Sequence, residues 1–518
     1  MDTMPDTVYG LLHRGARQWP ERELILLEDG TRWTWYEALA EGARAANALA
    51  ELGVGRGDRV MMVLPNGPGW LRSWWGATLL GAMIGPVNPA VRGQMLAGLC
   101  HTIEPTVIVA GAEQAENLEQ QFKPLVVSPE QLTNGQESIA GLDPEPTPSE
   151  THLLLTTSGT TGPAKASVTP HAFVCHMADW LVEGCSVDEN DVFQGDLPWF
   201  HMAAFAPAVQ MLRVGGRIAA RSTPAMGNYW QTAKEIGSTF AAAPGTISQF
   251  LEAQSDSDSE RDHSMRFMIC APLPADPEAF IARFGLEGLA TAYGSSEANL
   301  PLVSTLTTGV RAGTCGTLRP GFQVRLVDDD DNEVPPGTVG EAVVRADQPW
   351  MVTQGYVNRP DTTVAAWRNL WFHTGDGLWQ DAQGYYHFHD RFKDVVRRRG
   401  ENISSFEVER EVAAYPGIAE VACVAHPSDY SDVDDEVKVF IVPEPDATID
   451  YDKLVAFLAD RMTYYMVPRY YETINDIPKT PTQRIQKHIL RDKGNNGNTW
   501  DREAAGYKLT RNGLATPS

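Results

Sequence analysis

One unit recurs along roughly the first 380 residues of this chain: a short apolar run, a turn rich in proline and glycine, then a helical stretch. RVMMVL (59–64) reads as a buried strand, Pro65-Asn66-Gly67-Pro68 turns the chain, and a helix follows from about Trp70. Residues 238–243, Pro244-Gly245 and residues 246–253 repeat that order. Strand, loop and helix in succession call for parallel strands, because a crossover helix is what returns the chain to the same end of a sheet. The fold class predicted is α/β, with doubly wound sheets covered by helices on both faces.

At 518 residues the chain is too long for a single core, and its pattern changes twice. From about Gly321, QVRLV (323–327) and EAVVR (341–345) read as antiparallel strands of a small β-barrel. The four aspartates 328–331 between them lack the spacing of a calcium loop and read as a solvated turn. His387 and His389 share one face of a strand with no third ligand nearby, so a surface or packing role is expected. Near Asp390 a smaller α+β unit begins, with VACVAHP and EVKVFIV as strands and residues 451–461 as a helix. The organisation predicted is a large domain over 1–390, a connection at 391–394, a small domain over 395–495 and a polar tail over 496–518 that Trp500 and Tyr507 could anchor.

Net charge is −25, which sets the chain against nucleic acid as a partner. The six cysteines form no CxxC pair and read as buried thiols of a reducing cytosol. The N-terminal residues lack the pattern of a secretory signal, and the longest uncharged stretch (73–87) is too short to cross a bilayer. It reads as a core helix carrying Trp74 and Trp75, and the protein reads as cytoplasmic with no membrane partner.

Chemistry is concentrated in TTSGTTGPAK (156–165), directly after the apolar triplet 153–155. Thr156, Thr157, Ser158, Thr160 and Thr161 bring hydroxyls, Gly159 and Gly162 allow close backbone approach, and Lys165 adds a cation. That is a composition suited to polyphosphate. It is not a Walker loop, since no glycine stands at the required distance before a Gly-Lys-Ser/Thr triplet.

Five further segments follow in order: LPWFH (197–201), AYGSSE (292–297), HTGD (373–376), DRFKD…RRRGENISS…EVE (390–409) and PKTPTQRIQK (478–487). With the threonine loop they closely resemble the adenylate-forming superfamily of acyl-CoA synthetases, luciferases and adenylation domains. The RRRGENISS block is most similar to the branch that includes carnitine- and crotonobetaine-CoA ligases. The resemblance runs from about residue 8 to residue 492. It implies that a carboxylic acid attacks the α-phosphate of ATP to give an acyl adenylate and pyrophosphate, and that a thiol, usually coenzyme A, then displaces AMP.

Residue by residue, the resemblance implies that the threonine loop, Ala271, Pro272, Gly294, Ser295 and Ser296 line the nucleotide. Tyr293 packs on adenine, and Asp376 and Arg391 hold the ribose. Glu297, with Thr157, holds Mg2+. Lys393 is the hinge of a mobile C-terminal lid, and Arg397, Arg398, Arg399, Gly400 and Glu401 line the route of coenzyme A. Trp199, His201, Phe205, Cys270 and Ala298 shape the acyl pocket, His201 as a positioning group.

Two departures stand out. The family's catalytic lysine is replaced by Arg484, so either Arg484 or Lys487 is expected to bridge carboxylate and α-phosphate. Ile269-Cys270 replaces a common Gly-Gly pair, which predicts a compact acid. Residues 202–209 contain no acid, which disfavours an α-amino acid. The expected activity is therefore an AMP-forming acid–thiol ligase using ATP, Mg2+ and coenzyme A, and the resemblance admits a homodimer. Two alternatives stay open here: amide formation with an amine acceptor, and a nucleotide-binding protein with impaired turnover.

Overall fold

The computed structural model describes residues 7–91, 93–118, 120–139, 142, 145–157, 165–255, 257–391, 394–398, 401–428, 431–462, 464–479, 485–510 and 513–515. Two large sheets dominate. The six-stranded sheet runs in the order Val126–Val127, Val107–Ala110, Arg59–Val63, Met83–Pro86, Thr151–Thr157, Lys165–Pro170, parallel except for the last strand. The nine-stranded sheet has six central parallel strands: Gly288–Ser295, Phe267–Ala271, Phe240–Pro244, Val192–Gly195, Arg217–Ala220 and Glu23–Leu27. Antiparallel strands Asn299–Ser304 and Arg32–Thr34 flank this block.

The predicted strand at 59–64 and the strand–turn–helix at 238–253 are both present, as Arg59–Val63 and as Phe240–Pro244 followed by Gly245–Ala253. Central strands lie buried on both faces, which is why they are continuous apolar runs. The uncharged stretch at 73–87 is divided between the helix Pro68–Leu79 and the strand Met83–Pro86, with Trp74 and Trp75 fully buried. That helix packs closely on Trp35–Glu51, where a Cβ on Gly76 would stand 2.7 Å from the Ala45 Cβ. One continuous core contains side chains from both large sheets and from the helices Val8–Gln18, Trp35–Glu51, Pro68–Leu79, His171–Cys185 and Met202–Val214.

The expected small barrel takes the form of a four-stranded antiparallel sheet, Phe322–Val327, Gly340–Ala346, Phe372–Gln380 and Tyr386–Arg391. The acidic turn is solvated at Asp328, Asp329 and Asp330, while Asp331 is half-buried and pairs with Arg368. His387 stacks on Trp379 at 3.9 Å and meets Asp381 at 3.2 Å, a packing role.

Beyond it lies the α+β unit: the helices Ser405–Ala413 and Tyr451–Ala459 beside a sheet of Ile418–Ser428, Ser431–Pro443, Tyr470–Thr473 and Trp500–Asp501. The segment read as a polar tail is therefore corrected over the sheet's fourth strand. Trp500 pairs with Tyr471 and packs against Tyr451, and the buried Arg502 guanidinium donates to the carbonyls of Pro468 and Tyr507. A two-residue strand has no periodicity of its own, so nothing in the pattern announced it.

Candidate functional site

Asp376 and Arg391 stand directly opposite each other in the antiparallel pair of Phe372–Gln380 and Tyr386–Arg391. Arg391 Nε donates to Asp376 Oδ1 at 3.2 Å, while the Tyr293 hydroxyl donates to Oδ2 at 2.8 Å. One carboxylate is thus addressed on both oxygens, from two different sheets. Burial, and then the Asp376 charge, push the Tyr293 phenol well above its ordinary pKa, so it stays a hydrogen donor. His373 of the same HTGD segment turns away to Glu341 at 2.8 Å.

Tyr293 is held by a tight hairpin. The ladder between Gly288–Ser295 and Asn299–Ser304 shifts register after Tyr293, and a Cβ on Gly294 would lie 1.8 Å from the Asn299 carbonyl oxygen. The glycine is obligatory there. Ser295 Oγ accepts from the backbone N–H of Glu297 and Ala298, which holds the backbone of the turn at Glu297.

Glu297 Oε1 accepts from the Tyr356 hydroxyl at 3.0 Å, and Oε2 has no hydrogen-bond partner among the described residues. The Lys165 ammonium lies 5.2 Å from the centre of the Tyr356 ring. Tyr356 therefore joins the base of the threonine loop to the Glu297 carboxylate. Sequence reasoning missed this residue; its signal, a lone Gly-Tyr pair, has meaning only once 353–357 pairs along Lys165–Pro170. Thr353 was missed for the same reason: its hydroxyl meets Ser167 Oγ at 2.8 Å, and Ser167 in turn donates to the Ser296 carbonyl at 3.2 Å.

The threonine loop caps an antiparallel hairpin, in which Thr157 pairs with Lys165 and Thr156 with Ala166. Ser158, Gly159, Thr160, Thr161 and Gly162 lie outside the described residues, as do Lys393, Arg399, Gly400 and Arg484. Ala271 and Pro272 are exposed at the end of the strand Phe267–Ala271, where a ligand has access.

The residues assigned to the acyl pocket divide. His201 is half-buried at the start of the helix Met202–Val214. Trp199 and Phe205 each pack edge-on against Trp70, at 5.3 and 5.6 Å, and lie inside the main core. Ala298 is buried with Phe322, Val344, Met351 and Phe372. Cys270 is fully buried, and burial pushes its thiol up to about 12.

Arg398 requires correction. It was expected to face coenzyme A, yet its side chain is 2% exposed and pairs with Glu436 at 2.6 Å. It also donates to the carbonyls of Tyr465 and Val467. Only Val396–Arg398 and Glu401–Ile403 of that hairpin are described, and the backbones of Arg398 and Glu401 pair. Lys487 is also turned inward: its ammonium lies 2.8 Å from Glu409 and donates to Ser405, whose backbone and hydroxyl donate to Asp390.

No three His, Cys, Asp or Glu side chains cluster as metal ligands among the described residues. No helix of the described residues is long and apolar enough to cross a membrane.

Residues 12–357 match the AMP-binding enzyme family, and residues 407–484 match the AMP-binding enzyme C-terminal domain. A feruloyl-CoA synthase of an Amycolatopsis species is 30% identical over 501 residues, spanning 92% of this chain and 99% of its own. A crotonobetaine/carnitine–CoA ligase of Salmonella arizonae is 26% identical over 476 residues, spanning 86% and 91%. ATP-bound MatB from Rhodopseudomonas palustris shares the fold, with a TM-score of 0.84 at 22% identity over 95% of this chain and 99% of that one. One family model matches well over half of the length and its C-terminal companion matches a further stretch; the chain belongs to the AMP-binding enzyme family.

Proposed function

We propose that this chain is an AMP-forming acid–thiol ligase. It activates a compact carboxylic acid with ATP, holds the acyl adenylate, and passes the acyl group to coenzyme A with release of AMP and pyrophosphate. The observation that carries the reading is the Asp376 carboxylate, addressed on both oxygens by Tyr293 and Arg391, with Tyr293 four residues before Glu297 of the Glu297–Tyr356–Lys165 row. A ribose offers two adjacent hydroxyls, which match those two acceptor oxygens. Tyr293 then presents its ring to adenine. Lys165 and residues 156–162 take the β- and γ-phosphates.

Glu297 suits magnesium: a hard carboxylate with one oxygen held by Tyr356 and the other without a partner among the described residues, next to the phosphate loop. Magnesium bound there would supply charge neutralisation at the phosphate oxygens. Thr157 would complete that side. Because the Lys487 ammonium faces Glu409 inside the C-terminal unit, Arg484 is the residue we assign to the bridge between carboxylate and α-phosphate. A guanidinium keeps the charge and binds phosphate bidentately.

The unit from 395 onward acts as a lid that swings about Lys393 between the two half-reactions. Arg397 and Arg399, without Arg398, remain the cations assigned to coenzyme A. The names of the two curated relatives, a synthase and a ligase of CoA esters, support a thioester product over an amide. The buried Cys270 in place of glycine supports a short or ring-bearing acid. The test is a panel of acids with ATP, with and without coenzyme A: AMP and pyrophosphate are expected, and ADP with phosphate would overturn the reading.

A further inference from the structure

The strand Val192–Gly195 sends its helix, Met202–Val214, across to Arg217–Ala220 on one side. The strand beside it, Phe240–Pro244, sends Gly245–Ala253 to Phe267–Ala271 on the other. The connections diverge between these two strands, and such a divergence opens a crevice outside the carboxyl ends of a parallel sheet.

Asp196 stands at that place. Gln194 pairs with Ala241, so Asp196, two residues on, stands level with Ala243, and Ala243 pairs with Cys270. Side chains two apart share a face, so Asp196, Ala243 and Cys270 form one row with its smallest member in the middle. Tyr229, at the start of the helix Tyr229–Ile236, lies close enough that both Asp196 and Cys270 act on its phenol.

Asp196 is 1% exposed and Tyr229 is 2% exposed. Asp196 Oδ2 accepts from the Gln194 amide at 2.7 Å, but among the described residues Oδ1 has no hydrogen-bond partner, and neither does the Tyr229 hydroxyl. Among the described residues no cation pairs with Asp196; Arg221, the charge that acts on it, donates to Glu28 at 3.1 Å. Burial pushes the Asp196 carboxyl up to about 6. A buried carboxylate oxygen and a buried phenol, both without partners, are costly to leave so, and such groups ordinarily have a donor supplied from elsewhere.

We propose that Asp196, with Tyr229, is the specificity site for the acid substrate, receiving a hydrogen-bond donor, hydroxyl or amino, at the end of the acid remote from its carboxylate. This rests on the ligase reading above and names the class of acid it takes: compact acids that carry such a donor. Cys270, at the far end of the row, was already assigned to the acyl pocket by resemblance, and the Asp196 carboxylate at the near end gives that pocket a polar terminus.

Matched acids with and without the donor test it: benzoate against 4-hydroxybenzoate and 4-aminobenzoate, and pentanoate against 5-hydroxypentanoate and 5-aminopentanoate. The readout is kcat/KM for ATP-dependent pyrophosphate release. The wild-type chain is expected to favour a donor-bearing member at least about tenfold, since a site built to hydrogen-bond a group discriminates against its absence. Whether the hydroxyl or the amino member leads identifies the donor. Asp196→Asn and Tyr229→Phe, both near-isosteric, are expected to lower that ratio, the first more strongly. Equal turnover within each set, or a ratio unchanged in both variants, overturns the proposal while leaving the ligase reading intact. No pyrophosphate release with any acid, substituted or plain, overturns both.

Discussion

Arg398 and Glu436 meet at 2.6 Å inside the C-terminal unit, with side chains 2% and 3% exposed. Removing one member of a buried pair leaves the other charge without a counter-ion in a poor solvent, at a cost of about 3–5 kcal/mol. Arg398→Ala is expected to lower the thermal midpoint sharply. KM for coenzyme A should stay within about twofold of wild type in the protein that remains folded. A raised KM with an unchanged midpoint would return Arg398 to the coenzyme A route.

Of the two basic candidates for the adenylation step, Lys487 is likewise paired inside the C-terminal unit. Arg484→Ala is expected to slow acid-dependent pyrophosphate release about 10²–10³-fold. Lys487→Ala should chiefly destabilise, because Glu409, which also accepts from the Cys423 backbone N–H at 2.8 Å, loses its ion pair. Full activity of Arg484→Ala would remove it from the reaction.

What the sequence made legible, and what it hid, follows from the range of the interactions. Parallel strands such as Arg59–Val63 and Phe240–Pro244 are buried on both faces, so their own residues announce them. Tyr293, Glu297, Asp376 and Arg391 were singled out because each sits in a short motif, although the hydrogen bond joining Tyr293 to Asp376 crosses between sheets. Arg398 was misread because three adjacent arginines suggest a cationic surface, while its partner Glu436 arrives on the distant strand Ser431–Pro443. Tyr356 was invisible for the complementary reason: nothing beside it in sequence reveals Lys165 and Glu297.

Tyr356→Phe isolates the link between that tyrosine and Glu297. The ring stays under Lys165, so stability should change little, while the carboxylate loses its 3.0 Å donor. Partners that orient a metal-binding carboxylate are worth about tenfold or more in metal affinity or activity. The magnesium concentration for half-maximal pyrophosphate release should rise by about that factor; an unchanged magnesium curve would remove Tyr356 from the site.

Gly294→Ala tests whether the hairpin positions Tyr293. The added carbon would lie 1.8 Å from the Asn299 carbonyl oxygen. That segment has little room to yield, since the Asn299 amide donates to the carbonyls of Phe173 and Met351 at 3.1 and 3.0 Å. Tyr293 should be displaced from Asp376, weakening binding of an ATP analogue about tenfold or more, the scale of a lost hydrogen bond to a charged group. Wild-type affinity with wild-type stability would show that the register shift tolerates a side chain.

His152 and His171 give stability a pH dependence. Their rings lie 4.3 Å apart in the core; His152 Nε2 accepts from Trp74 Nε1 at 3.1 Å, and His171 Nδ1 accepts from the Val8 N–H at 3.3 Å. Both contacts require a neutral ring nitrogen. Burial, only slightly offset by Glu150, holds His171 down at about 3 against an ordinary value of 6.5, and burial with the neighbouring His171 lowers His152 as well. Between those limits the unfolded chain takes up a proton that the folded chain refuses, so stability falls as pH falls from 6.5 toward 3 and is unaffected by this pair above 6.5. Each such group contributes a slope of up to about 1.4 kcal/mol per pH unit. His171→Asn keeps an acceptor for Val8 but cannot be protonated. Urea unfolding at pH 7.5, 6.0 and 5.0 should show its stability declining less steeply than wild type by up to that amount per unit. Parallel declines in the two proteins would mean that His171 takes no part in the acid sensitivity.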